Sequence, residues 1–160
     1  MQDYIIRPVK ENDLGELLLL ISEHADFEQV PSDPAPNKGR LMKALFDLPG
    51  RLNCWVVEQQ GKLTGYVSFT FDFSTWDAAD FMYMDCLYLR EGSRGNGIGA
   101  AIIKKLYQVA RERNCINIQW QTPPFNELAI RFYHKNHAVS KSKVRFYLKV
   151  TPDDTMALNA

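Results

Sequence analysis

The sequence lacks an excess of either charge. Its 160 residues carry 19 lysines and arginines against 19 aspartates and glutamates, so the formal net charge is +0 at pH 7. Such a chain has no overall field that would attract nucleic acid or an anionic membrane. It also lacks an apolar run long enough to span a bilayer, and its first residues lack the basic and apolar regions of a signal peptide. We therefore expect neither nucleic acid nor a membrane as a partner.

Cysteine is scarce as well. Cys54, Cys86 and Cys115 are the 3 cysteines, and they lie far apart in the sequence. An odd number of scattered thiols argues against a disulfide framework, and their separations do not match the spacing of metal ligands. Free thiols are typical of a reducing compartment. We therefore expect a cytoplasmic protein without a metal site.

The length and the hydrophobic content of 46% fit one domain with its own core, which we place at residues 1–150, followed by a C-terminal tail at 151–160. Apolar periodicity predicts helices over residues 13–24 and 38–46, from 97 onward, and over 126–136. Asp13 is the expected N-cap of the first helix, with Glu16 as its capping-box acid. Strands are predicted over residues 4–9, 54–58, 63–73, 81–89, 115–121 and 144–150. This order predicts a mixed α/β fold in which helices cover a single sheet.

A glycine-rich turn separates the strand at 81–89 from the helix that begins at 97; it reads Arg94-Gly95-Asn96-Gly97-Ile98-Gly99-Ala100. Alternating glycines let the backbone approach a ligand, and the free amides at a helix start favour phosphate. The turn lacks the Gly-Lys-Ser/Thr ending of a Walker loop, and the next strand ends in Gln121 rather than in a ribose-binding acid. The pattern indicates a diphosphate cradle, with a turn that only starts a helix as the alternative.

With a second motif the chain resembles the GNAT superfamily of acyl-CoA-dependent N-acetyltransferases. The first family motif is matched by Arg94, Gly97 and Gly99, and the second is matched by Asn126, Ala129, Phe132 and Tyr133. The resemblance runs from residue 5 to about residue 150, and it is most specific to the diamine (spermidine/spermine) and thialysine acetyltransferases. It implies a single, mixed and mostly antiparallel central sheet flanked by helices, with a splayed strand pair that holds acetyl-CoA.

The resemblance also implies the roles of individual residues. Tyr133 is the expected general acid, and Asp85 is expected to take the proton of the amine, although each residue type also fits a structural position. Acceptor-binding residues are Asp85, Phe27, Glu28, Trp76 and Trp120. The cofactor, acetyl-CoA, is expected at the backbone of one strand end, at the glycine turn and at the last helix: Leu87, Tyr88, Leu89, Arg94, Gly95, Asn96, Gly97, Ile98, Gly99, Ala100, Asn126, Ala129 and Phe132.

Two residues depart from the pattern of the resembled enzymes. Cys86 stands where the polyamine enzymes have a second acid, and His137 stands where the family usually has a glycine. Either a strained left-handed cap at His137 or an altered turn is expected there. The expected function is transfer of an acetyl group to a primary amine of a small molecule, by direct attack through a tetrahedral intermediate, in a homodimer. A protein or peptide acceptor and a non-catalytic acetyl-CoA-binding module remain as alternatives.

Overall fold

The computed structural model describes residues 3–30, 37–148 and 150. These residues form a mixed α/β fold, as the sequence predicts. The strands are β1 (Ile5–Pro8), β2 (Asn53–Gln59), β3 (Lys62–Ser74), β4 (Ala79–Leu89) and β5 (Ile118–Gln119). The helices are α1 (Leu14–Phe27), α2 (Lys38–Phe46), α3 (Ile98–Glu112) and α4 (Glu127–Lys135), with short 3₁₀ turns at Glu11–Asp13 and Glu91–Ser93. The expected tail at 151–160 lies outside the described residues.

The sheet follows chain order, β1-β2-β3-β4-β5, with β1 to β4 antiparallel and β4 parallel to β5. The parallel pairing is short, because it joins Met82 to Ile118 and Tyr83 to Gln119 and then stops. β4 runs on to Leu89, and in the described part of the chain this last stretch pairs with β3 alone. The two strands therefore part beyond Tyr83, which leaves one edge of β4 open.

Each face of the sheet has its own helical cover. On one face α3 buries Ile98, Ile102 and Leu106, which recur at helical spacing and pack against Val57 and Val67. On the other face α1 buries Leu14, Leu17 and Leu20. These side chains pack against Val56 and Tyr66, which alternate along β2 and β3 with the residues that face α3. The core therefore consists of two layers separated by the sheet.

The predicted capping box at the start of α1 is wrong. The Asp13 carboxylate accepts hydrogen bonds from Arg7 at 2.6 and 2.9 Å and from the Lys10 N–H at 2.7 Å. The Glu16 carboxylate accepts from the Leu63 N–H at 3.0 Å, across to β3. Both acids are thus used to join α1 and its preceding turn to the sheet, and a pattern of local spacing does not report such long-range partners.

Two strand predictions also need correction. The strand predicted over 115–121 shortens to Ile118–Gln119, because the Cys115 N–H still bonds to the Ala110 carbonyl at the end of α3, 2.9 Å away, and because β4 and β5 part. No strand forms over 144–148 or at 150, although the residue types favour one. Val144, Phe146 and Val150 are 79%, 91% and 90% exposed. A strand needs a neighbouring ladder, and the described residues supply none for this segment.

His137 adopts a left-handed conformation, with φ of 66°, which is the strained one of the two turns that the sequence left open. It ends α4, and the Ala138 N–H that follows it donates to the Tyr133 carbonyl at 3.1 Å. A residue with a Cβ is strained at such an angle, whereas glycine is not.

We predict that His137→Gly is more stable than His137→Ala by about 1 kcal/mol, because both lose the imidazole but only glycine relieves the backbone strain. Urea unfolding of the two variants measures the difference. Equal free energies of unfolding would show that the cap carries no strain.

Candidate active site

The glycine turn presents the first amides of α3 to solvent. Gly95 and Gly97 have φ of 80° and 78°, angles that favour glycine at both positions. Gly97 is the N-cap of α3 and offers no side chain to its amides, while the first helical bond runs from Ala101 N–H to the Gly97 carbonyl at 3.0 Å. The N–H groups of residues 98–100 therefore have no acceptor within the helix, and they form the positive end of its dipole.

The third glycine of the turn serves packing. A Cβ built on Gly99 would stand 2.9 Å from the ring of Phe132, so α3 and α4 could not approach as closely with any other residue. Asn126 caps α4, because its side-chain oxygen accepts from the Ala129 N–H at 3.2 Å. The two motifs of the sequence are therefore adjacent in space, because Phe132 of α4 packs on Gly99 of the turn.

Arg94 links the turn to the end of α1. Its Nε donates to the Leu89 carbonyl at 2.8 Å, and its guanidinium carbon lies 4.8 Å from the ring centre of Phe27 and 5.7 Å from that of Tyr88. A planar guanidinium stacks well on aromatic faces. Arg94 therefore has a structural contact in addition to the phosphate contact predicted for it.

Tyr133 lies half-buried on α4 within an aromatic group. Its ring centre is 5.0 Å from that of Trp120 and 5.2 Å from that of Phe132. Burial, and then the nearby charges of Glu28 and Cys86, raise the pKa of Tyr133 to about 12. The phenol is thus protonated at neutral pH and can donate a proton, although it is a weaker acid than a free tyrosine.

Asp85 occupies a β-bulge in β4. Ser68 of β3 is opposite Cys86 and Phe69 is opposite Met84, so Asp85 has no partner residue across the pair. A bulge re-aims side chains and is frequent beside active sites. Before the bulge Met84 packs on the α3 side, whereas after it Cys86 packs on the α1 side. Asp85 itself is exposed and lies at a cavity of about 210 Å³ between α1, α2 and the sheet.

The sequence reasoning missed His24. His24 is only 9% exposed and is held on three sides. Its Nδ1 lies 2.9 Å from the Tyr66 hydroxyl, its Nε2 lies 3.2 Å from the Glu28 carboxylate, and its ring stacks on Tyr88 at 5.2 Å. A carboxylate only accepts, so Nε2 of the neutral ring carries the hydrogen and Nδ1 accepts from Tyr66. The signal available in the sequence was the i, i+4 spacing of His24 and Glu28.

The protonation of His24 is linked to stability. Burial is the main cause that lowers the pKa of His24, and Glu28 and Asp85 oppose it. The unfolded chain therefore binds a proton at a higher pH than the folded chain does. The resulting stability is present above the unfolded pKa of about 6.5 and is lost as pH falls below it.

We predict that lowering the pH from 7.5 to 5.5 reduces the free energy of unfolding more in the native protein than in His24→Gln, because the buried neutral ring resists protonation. Urea titrations of both proteins at the two pH values test this. His134→Gln, on an exposed side chain of α4, serves as the control and should retain the native pH dependence. The same pH dependence in His24→Gln as in the native protein would contradict the assignment.

The remaining predicted acceptor residues fall in different places. Phe27, 41% exposed, and Asn126 line a second cavity of about 360 Å³, between the end of α1 and the start of α4, together with Gln29, Arg131 and residues around 125–128. Trp120 lies beside Tyr133. Trp76 is 98% exposed in the turn that joins β3 and β4. Asp85 is separated from that turn by about 20 Å of strand, at roughly 3.3 Å per residue, so the structure does not bring Trp76 to the other residues.

Over residues 3–30, 37–148 and 150, no three His, Cys, Asp or Glu side chains are grouped so as to hold a metal ion. In the same ranges, none of the helices has the length and apolar character needed to cross a membrane.

The fold and the site together define a class of protein. A mixed sheet whose fourth strand parts from the fifth and leads into a glycine turn, with Tyr133 on α4, is the arrangement that the resemblance implies. The family model described as "Acetyltransferase (GNAT) family" matches residues 19–138. The chain therefore belongs to the GNAT acetyltransferase family, whose members transfer the acetyl group of acetyl-CoA.

Individual relatives make the relationship more specific. The thialysine N-epsilon-acetyltransferase of Bos taurus is 31% identical over 137 residues, which cover 81% of this chain and 80% of that protein. The spermidine/spermine N(1)-acetyltransferase-like protein 1 of Homo sapiens is 28% identical over 149 residues, covering 89% of this chain and 21% of that protein. An aminoglycoside acetyltransferase from an uncultured soil metagenomic sample, solved with trehalose, shares the fold with a TM-score of 0.78 at 19% identity, covering 93% of this chain and 97% of that one.

Proposed function

We propose that this GNAT acetyltransferase acetylates a primary amine of a small molecule and that Asp85 marks the position of that amine. The observation that carries the proposal is the bulge in β4, which exposes a carboxylate at a small cavity on the strand that leads into the glycine turn. The similarity to thialysine acetyltransferases supports a small acceptor. A cavity of about 210 Å³ suits such a molecule better than it suits a peptide.

The residues present fit acetyl-CoA, which supplies an acetyl group activated as a thioester. The diphosphate is assigned to residues 95–100, where amide donors meet the positive end of a 15-residue helix. The pantetheine arm is assigned to the open edge of β4 at Leu87, Tyr88 and Leu89, because the other edge of these residues pairs with β3. Main-chain groups of an open strand edge bind an extended ligand as they would bind another strand.

Two side chains are assigned to the proton transfers, and a third contributes charge. Asp85 accepts a proton from the ammonium form of the amine, directly or through water, so that the nitrogen can attack. Tyr133 holds a proton on its phenol and donates it to the departing sulfur. Glu28, oriented by His24 at 3.2 Å, adds negative potential that favours a cation near the end of α1.

We predict that Tyr133→Phe lowers kcat by at least about 100-fold, because general acid catalysis is typically worth that factor, while the affinity for acetyl-CoA changes little. Steady-state turnover and calorimetric titration with coenzyme A measure the two effects. Tyr107→Phe is the matched control, since it removes a hydroxyl from a side chain on α3 that is 62% exposed. Unchanged turnover in Tyr133→Phe would remove this residue from the mechanism.

We also propose that the protein is a cytoplasmic homodimer. The three cysteines are free, which fits a reducing compartment. Six apolar side chains between residues 139 and 150 are 68% to 91% exposed, an unusual density for a surface that stays in water: Val139, Val144, Phe146, Tyr147, Leu148 and Val150. A second copy would cover this segment and provide the neighbouring strand that it lacks.

We predict that sedimentation equilibrium shows a dimer of the native protein and that Phe146→Glu with Val144→Glu shifts it towards the monomer, because the charges oppose burial. Tyr107→Glu, on the exposed surface of α3, should leave the dimer intact. A native protein that is monomeric at all measured concentrations would overturn this proposal.

A further inference from the structure

We propose that the cavity beneath α1 and α2 is an acceptor pocket for an amine with one positive charge and an apolar body. The inference rests on the proposed function and narrows its substrate class. Under it, the nitrogen of the acceptor lies at Asp85 and the hydrocarbon part extends between the helices and the sheet. The preferred acceptor is thus a monoamine, whereas a diamine is disfavoured.

The wall of the cavity is aliphatic. Leu17 and Ile21 of α1 and Leu41 and Leu45 of α2 face it, and Leu52 and Cys54 extend the same surface. These side chains can bury methylene groups but offer no partner to a charge. Each buried methylene gains about 0.8 kcal/mol, which corresponds to about fourfold in affinity.

The lining of the cavity carries one charge, at one position. Asp85 is the only ionisable acid among the described residues that line it, and the other polar groups there are neutral. The Tyr66 hydroxyl is engaged with Nδ1 of His24 at 2.9 Å. The thiol of Cys86 has its Sγ 3.6 Å from the Asp85 carboxylate, and burial raises the pKa of this thiol to about 11, so it stays protonated.

One carboxylate neutralises one ammonium. A second ammonium at the far end of a diamine would lie among leucines without a counter-charge, which is costly because the ion loses its water. The pocket therefore favours an acceptor whose hydrocarbon part is uncharged over an acceptor whose hydrocarbon part ends in a second ammonium group.

The volume of the cavity limits the length of the hydrocarbon part of the acceptor. The cavity of about 210 Å³ has room for about seven groups of the size of a water molecule, at about 30 Å³ each. A chain of five carbons fits within this space. Asp85 lies two residues before the strand end assigned to the cofactor, so an amine held there is at the reacting end of the cavity.

The test compares pentylamine with 1,5-diaminopentane, which differ only by the second ammonium, and includes ethylamine as a short control. With acetyl-CoA and the native enzyme, we expect kcat/KM for pentylamine to exceed that for ethylamine by about 60-fold, at about fourfold for each of three methylenes. We expect it to exceed that for 1,5-diaminopentane by at least about 30-fold, because the second ammonium is desolvated.

Two variants test the position of the pocket. Leu45→Asp places a second carboxylate on its wall and should move the preference towards 1,5-diaminopentane by at least about 10-fold. Leu48→Asp, on a side chain that is 96% exposed just beyond α2, should leave the preference unchanged. The comparison of amines in the native enzyme does not depend on either variant and decides the question if Leu45→Asp fails to fold.

The outcomes separate this inference from the proposed function. A native preference for 1,5-diaminopentane over pentylamine would overturn the pocket and leave amine acetylation in place. If no amine is acetylated, the proposed function fails. Calorimetric titration with pentylamine alone then tests whether the cavity binds the amine. Binding that is weakened by Leu45→Asp but not by Leu48→Asp supports the pocket, and absent or unaffected binding overturns it.

Discussion

The open edge of β4 is the constraint on which the rest of the site depends. β5 pairs with β4 only at Met82 and Tyr83, so the strand continues to Leu89 with main-chain groups available on one side. A strand edge of this kind is a liability when water or another chain can reach it, and it is a binding site when a ligand of matching geometry fills it. The glycine turn follows directly, so the same backbone path leads from the open edge to the free amides of α3.

A single additional residue determines how this strand presents its side chains. Because Asp85 is bulged, Cys86 lies on the face covered by α1 while Met84 lies on the face covered by α3. Without the bulge the alternation of β4 would carry through unbroken, and Cys86 would share the α3 face with Met84. The bulge therefore places the neutral thiol of Cys86 beside Asp85 at the cavity.

Local patterns predicted the elements that depend on local chemistry. Helix α2 and the cap of α4 by Asn126 were predictable, because apolar periodicity and capping act over a few residues. In the candidate site, the sequence pointed to the glycine turn and to Tyr133 through motifs, and these motifs are adjacent in the structure because Gly99 packs on Phe132.

Features that depend on long-range partners could not be predicted in this way. His24 is important because Tyr66 and Tyr88 come from distant strands to surround it, and Asp13 is used by Arg7 rather than by its own helix. Residues 144–150 have the composition of a strand, but composition does not provide a neighbour. Trp76 shows the opposite case. The sequence grouped it with the acceptor-binding residues, but it lies exposed in the turn at the far end of the hairpin of β3 and β4.

The central claim is that the amides of the glycine turn hold the diphosphate of the acetyl donor. Calorimetric titration with coenzyme A tests it most directly when the native protein is compared with Gly97→Glu and with Gly92→Glu, a position where an added Cβ meets nothing within 4 Å. We expect binding to the native protein and to Gly92→Glu, and a loss of at least about 100-fold in Gly97→Glu, where bulk and negative charge would face the phosphates. Native affinity in Gly97→Glu would contradict the account.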